Sequence, residues 1–148
     1  MAPAVVLVVM FAALRGAGLL GVGALDNWNT PLRMALAAMF LLTASAHWGR
    51  GRRDLIRMVP PIFPEPGIII TLTGMLEILG ALGLLIPVTA RMAAFCLAAL
   101  LIALFPANVR AAREKLTILD RPAMGVAARG ALQVLFVGSL LAVAMGKG

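Results

Sequence analysis

Glu77 and Arg15 are the residues whose surroundings make them chemically unusual, because each stands near the middle of a long apolar run. A charge placed there costs ~2.5 to 3.5 kcal/mol on insertion scales, so neither is expected to face lipid. Counting about 1.5 Å per residue brings the two to similar depths from one membrane surface, where they could pair as a clamp between helices. The other reading makes Glu77 a proton donor or acceptor lining a cavity. Thr73, Glu77, Gly80 and Leu84 recur at helical spacing, a polar or small stripe that should face a bundle interior. Thr43 and His47 lie at i and i+4, as do Arg129 and Gln133, and Pro106-Ala107-Asn108 closes another apolar run. His47, Asn108, Arg129 and Gln133 would then ring a vestibule leading to Glu77. Glu77 and His47 are its candidate acid and base, and Thr43, Trp48, Thr73 and Arg15 are further candidate ligand contacts. Ordinary interfacial polarity is the plain alternative, since a His at a helix end commonly lies at head-group level and Arg reaches toward phosphates.

Metal ligation is not expected. The single His, the intramembrane Glu77 and the single Cys96 fall in different runs, with no HxxxH or CxxC spacing. The scattered Met residues read as packing, and Gly16, Gly18, Gly21 and Gly23 read as small residues for close helix approach inside a span rather than as a phosphate loop. With one Cys the chain forms no disulfide within itself, so redox chemistry would need a partner or a cofactor.

The elements that must position these residues are membrane helices. Of 148 residues, 62% are hydrophobic and 13% charged, too little polarity to cover a soluble domain of this size. The mean hydropathy of +1.02 points the same way. Five apolar segments are expected to span, as one all-α polytopic bundle forming a single membrane domain: Pro3 to Leu25, Pro31 to Trp48, Gly67 to Ile86, Thr89 to Pro106 and Ala123 to Met145. The first carries Arg15 and no cleavage signal, so it is expected to be retained. Asp26 to Pro31 reads as a tight hairpin with Thr30 capping the second helix, and Thr89 reads as the cap of the fourth.

The two longer loops, Gly49 to Pro66 and Ala107 to Pro122, lie on one side and hold eight Lys or Arg, against Arg33, Arg91 and Lys147 on the other. The positive-inside rule places them in the cytoplasm of a plasma membrane protein, with the N-terminus inside and the C-terminus outside. The net charge of +7 is thus expected to meet lipid head groups, not nucleic acid. Trp28 and Trp48 fall at opposite interfaces. Asp54 reads as the cap of a turn from Leu55 to Val59, and the four prolines between Arg57 and Pro66 make that stretch a rigid connector or a lid.

His47-Trp48, Met58-Val59-Pro60-Pro61-Ile62-Phe63-Pro64, Gly74-Met75-Leu76-Glu77 running to Pro87, Phe105-Pro106-Ala107-Asn108 and Arg129 to Gln133 form a set. On these motifs the chain resembles the DoxX-like family of small bacterial membrane proteins, with Trp48 for the usual Phe and Ile78 for the usual Leu. The resemblance implies a four-helix core, to which Pro3 to Leu25 with Arg15 is an addition. It also implies quinone or redox work, since the family is named for a small subunit of a thiosulfate:quinone oxidoreductase. The leading expectation is a binding or accessory subunit for a lipophilic small molecule such as a quinone, acting with a redox protein partner. An autonomous intramembrane isomerase, cyclase or hydrolase and a membrane chaperone stay open as alternatives, as does assembly into a homo-oligomer.

Overall fold

The computed structural model describes residues 2–118, 121–122 and 124–146. Among them six α-helices follow one another: α1 (Ala2–Leu19), α2 (Asn29–Ser45), α3 (Arg52–Met58), α4 (Pro66–Leu85), α5 (Pro87–Arg113) and α6 (Val126–Met145). A 3-10 turn at Gly23–Leu25 joins the first two, and Thr117–Ile118 pairs with Arg121–Pro122 in a two-residue antiparallel ladder before α6. The expected start of the last span at Ala123, the side chain of Arg121 and Lys147 lie outside the described residues.

Helices α1, α4, α5 and α6 are long and apolar enough to cross a membrane. With 17 residues α2 is shorter, and its rise of about 26 Å falls below the ~30 Å of a hydrocarbon core. It is enclosed instead, with Ala35, Leu36, Ala37, Met39 and Phe40 no more than 1% exposed. Neighbouring contacts close α2, α4, α5 and α6 into a four-helix bundle, and α1 packs on α2 from outside through Leu7. The outward faces are apolar, with Val8, Leu79, Met92, Ile102 and Val134 at least 58% exposed. A bundle designed for water puts polar residues there.

The helix ends depart from the sequence expectation for local reasons. Helix α1 stops at Leu19, short of Leu25, because Gly21 takes φ +110° while its N–H bonds Gly18 O and the Val22 N–H bonds Ala17 O, both at 3.1 Å. This is a Schellman stop, open to glycine without a Cβ penalty. Gly21 and Gly23 therefore lie beyond the helix, and Gly18 serves close approach to the Leu25 carbonyl, against which a Cβ would collide. Asn27, not Thr30, closes the start of α2, its Oδ1 accepting the Thr30 N–H at 2.8 Å. Pro87 begins α5 two residues ahead of Thr89, so the Thr89 hydroxyl is not a cap; it donates to Gly83 O at 2.9 Å, at the end of α4. Likewise α3 begins at Arg52 and takes Asp54 into its first turn.

Helix α5 continues through Pro106 to Arg113 where the expectation ended it at Pro106. Proline removes one N–H but its φ suits a helix, and a packed bundle tolerates the lost bond. Its 27 residues rise about 40 Å, so the turns bearing Asn108, Arg110 and Arg113 extend past the apolar stretch.

Candidate functional site

Thr43 on α2 and Glu77 on α4 meet inside the bundle. The Thr43 hydroxyl donates to Glu77 Oε2 at 2.7 Å, and Glu77 is 5% exposed. The stripe that carries Glu77 is buried along its length, at Ile70, Thr73, Gly74, Glu77, Ala81 and Leu84, the 3.6-residue period of one helical face. Thr43 Oγ1 also lies 2.9 Å from Phe40 O. One hydroxyl hydrogen cannot serve two acceptors at once. With Glu77 ionised, Thr43 gives its hydrogen to the carboxylate; with Glu77 protonated, the carboxyl donates to Thr43, which turns to Phe40 O. The pair is thus a hydrogen-bond relay whose direction reverses with one proton.

His47 lies two residues beyond the end of α2, 6% exposed, with Nδ1 at 3.2 Å from Thr43 O. A carbonyl only accepts, so Nδ1 carries the hydrogen and Nε2 keeps its lone pair. Gly74, three residues before Glu77, makes room for this corner: a Cβ there would lie 2.8 Å from His47 Cβ and Cγ and from the Trp48 ring. The Trp48 and His47 rings are 6.0 Å apart and tilted, with Trp48 48% exposed.

A second polar cluster joins α5 and α6. Arg129 Nη1 donates to Asn108 Oδ1 at 2.6 Å and Nε to Met124 O at 3.3 Å. One turn further along α6, Gln133 has a buried Nε2 with no hydrogen-bond partner among the described residues. Sequence reasoning counted Arg52 and Arg110 as loop charges, but both are braces. Arg52 donates to His47 O at 2.8 Å, Gly67 O at 3.1 Å and Thr71 Oγ1 at 3.0 Å, tying the end of α2 to the start of α4. Arg110 donates to the Val59 carbonyl and pairs with Glu114 at 2.8 Å. The proline-rich stretch is held at its Val59 end, which suits a connector.

Arg15 is not with these residues. The early stop of α1 leaves it four residues from that helix's end, where it bonds Asp26 Oδ1 at 3.1 Å and Leu25 O at 3.4 Å, in the hairpin at the far end of α2 from His47. The Arg15 to Glu77 clamp is therefore corrected. Nor do two cavities among the described residues, of about 470 and 190 Å³, form the expected vestibule: the first lies along α5 at Phe105, Pro106 and Arg110, the second at Asn29, Arg33 and Arg91. Arg33 was also missed. It is 9% exposed and donates through Nε to Leu84 O at 2.9 Å and through Nη2 to Leu85 O at 3.3 Å. It thereby satisfies the carbonyls left open at the end of α4. The signal was a lone charge in an apolar helix.

A family model described as "Domain of unknown function (DUF8561)" matches residues 36–144, most of α2 through α6 and none of α1. No curated protein and no solved structure matches the chain.

Proposed function

The chain belongs to this family of unassigned function, and from its geometry we propose that it is a plasma membrane protein that binds the polar end of a lipophilic small molecule, a quinone by preference, as an accessory subunit to a redox partner. The observation that carries the reading is Glu77: a carboxyl 5% exposed, midway along a helix fit to span a membrane, whose bonded partner is a hydroxyl and not a cation. A carboxyl retained in such a place without a counter-charge is expensive, which favours a working role over a structural one. Glu77 and Thr43 offer a donor and an acceptor that can exchange roles, and His47, one turn beyond Thr43 and bonded to its carbonyl through Nδ1, keeps Nε2 as a further acceptor, a set suited to the carbonyl of a quinone or the hydroxyl of a quinol. The buried Gln133 amide, without a partner among the described residues, is a further donor. Electrons would come from the partner protein, because this chain supplies no thiol pair.

The kinship to DoxX-like proteins belongs to the same proposal. Of its motif residues, His47-Trp48, Met58 to Pro64, Phe105 to Asn108 and Arg129 to Gln133 lie toward the end of the bundle where α2 and α5 finish and α4 and α6 begin, and Gly74 to Glu77 lie deeper along α4. In this reading α2 crosses the membrane as a fifth span, with its ends completed by Trp28 and Trp48.

The test is mass spectrometry of lipophilic molecules extracted from the purified full-length chain. The expected result is one such molecule retained in near-stoichiometric amount by the wild type and lost from Glu77→Gln, with helicity and melting behaviour kept. Equal retention by both proteins, or none by either, would overturn the proposal.

A further inference from the structure

We infer that the cavity at the opposite end of the bundle, lined by Asn29, Arg33, Pro87, Ala90, Arg91 and Val143, binds a phosphate ester that carries its own hydrogen-bond donor. That chemistry is shared by a phosphatidylglycerol head group and by free glycerol phosphate. The space is about 190 Å³, roughly six waters' worth of liquid, which suits a head group and not a nucleotide.

Charge selects the anion. Arg33 and Arg91 both line the cavity, no Asp or Glu does so among the described residues, and the nearby Asp26 is held by Arg15. Arg33 spends two donors on the carbonyls of Leu84 and Leu85 but keeps its charge, and Arg91 has no ion-pair partner among the described residues. Helices α2 and α5 both begin here, so the positive ends of two helix dipoles add to the field. Three of their first-turn amides are already used, Thr30 N–H by Asn27 and the Thr89 and Ala90 N–H groups by Ile86 O. The guanidiniums of Arg33 and Arg91 are the cations that line the cavity, and Arg matches phosphate oxygens in a bidentate fork.

The donor follows from Asn29. This residue is 5% exposed, lines the cavity, and has a buried Oδ1 with no hydrogen-bond partner among the described residues. A buried acceptor left unmet costs about 1–3 kcal/mol, so a ligand that brings an N–H or O–H gains by entering. A glycerol hydroxyl does this; a choline head group has a phosphate but no donor. Pro87, Ala90 and Val143 supply an apolar wall along which an acyl-bearing backbone can leave the site.

The test uses the full-length chain in detergent, melted with added short-chain phosphatidylglycerol, short-chain phosphatidylcholine or glycerol 3-phosphate. Arg91→Gln is the variant, since that side chain is exposed and outside the core; Arg91→Lys is the conservative control. Phosphatidylglycerol should raise the wild-type melting temperature by several degrees more than phosphatidylcholine does. Arg91→Gln should lose at least half of that difference and Arg91→Lys should keep most of it. An Arg91-dependent shift from glycerol 3-phosphate alone would make the ligand a soluble ester and leave the site standing. Equal shifts from the two lipids with no effect of glycerol 3-phosphate, or shifts untouched in Arg91→Gln, would overturn it. Glu77→Gln should not change these shifts, which separates this site from the one at His47.

Discussion

Arg33 and Arg15 both sit among apolar residues, yet removing them should have unequal costs. Arg33→Met leaves the carbonyls of Leu84 and Leu85 without their donors in a buried corner, which should destabilise the bundle by about 2–3 kcal/mol. Arg15→Met breaks a pair whose side chains are 32% and 61% exposed, and should cost under ~1 kcal/mol. Unfolding of the purified proteins in a common detergent ranks the two, and a ranking reversed from this one would contradict the placement of Arg15. Neither residue's partner was legible in the sequence. Apolar flanks marked Arg15 and Arg33 alike, and only the end of α1 and the end of α4 decide what each guanidinium meets.

At the scale of elements, periodicity located every helix that carries the site, because runs of apolar residues leave few alternatives. The buried stripe from Thr73 to Leu84 was readable for the same reason. The ends were not, because they depend on one or two residues whose effects compete. Four glycines near the end of α1 looked alike, but Gly21 alone among the described glycines takes a positive φ. Pro106 looked like a stop and is absorbed by α5. Gly74 is the position where element packing and the site coincide. Gly74→Ala would place a methyl 2.8 Å from His47 and Trp48, forcing the end of α2 away from α4 at a cost of about 1–3 kcal/mol. It should also weaken ligand retention more than an alanine at Gly138, where a Cβ meets nothing within 4 Å. Equal effects of the two substitutions would show that the His47 corner tolerates separation.

For the whole molecule, the fold brings both basic segments to one end, since α3 packs on α5 and Arg110 reaches Val59. Moving Arg15 to the other end changes the charge balance there: among the described residues Arg15 joins Arg33 and Arg91, still fewer than the basic residues of the two long loops. The proposed plasma membrane topology, with the basic end in the cytoplasm, rests on this bias. In a chain with Cys96→Ala, cysteines at Arg53 or Lys115 should stay unreactive toward an impermeant thiol reagent outside intact cells, and a cysteine at Val88 should react; the opposite pattern would invert the topology. The central claim, that Glu77 holds a lipophilic ligand beside His47, is tested most directly through Trp48. In a Trp28→Phe chain reconstituted in neutral liposomes, Trp48 is the single tryptophan and lies beside His47. Titration with a short-chain benzoquinone should quench its fluorescence saturably, and Glu77→Gln should abolish the saturable part while leaving the weak linear quenching of a quinone dissolved in lipid. Linear quenching alone in both proteins, with identical slopes, would contradict the account.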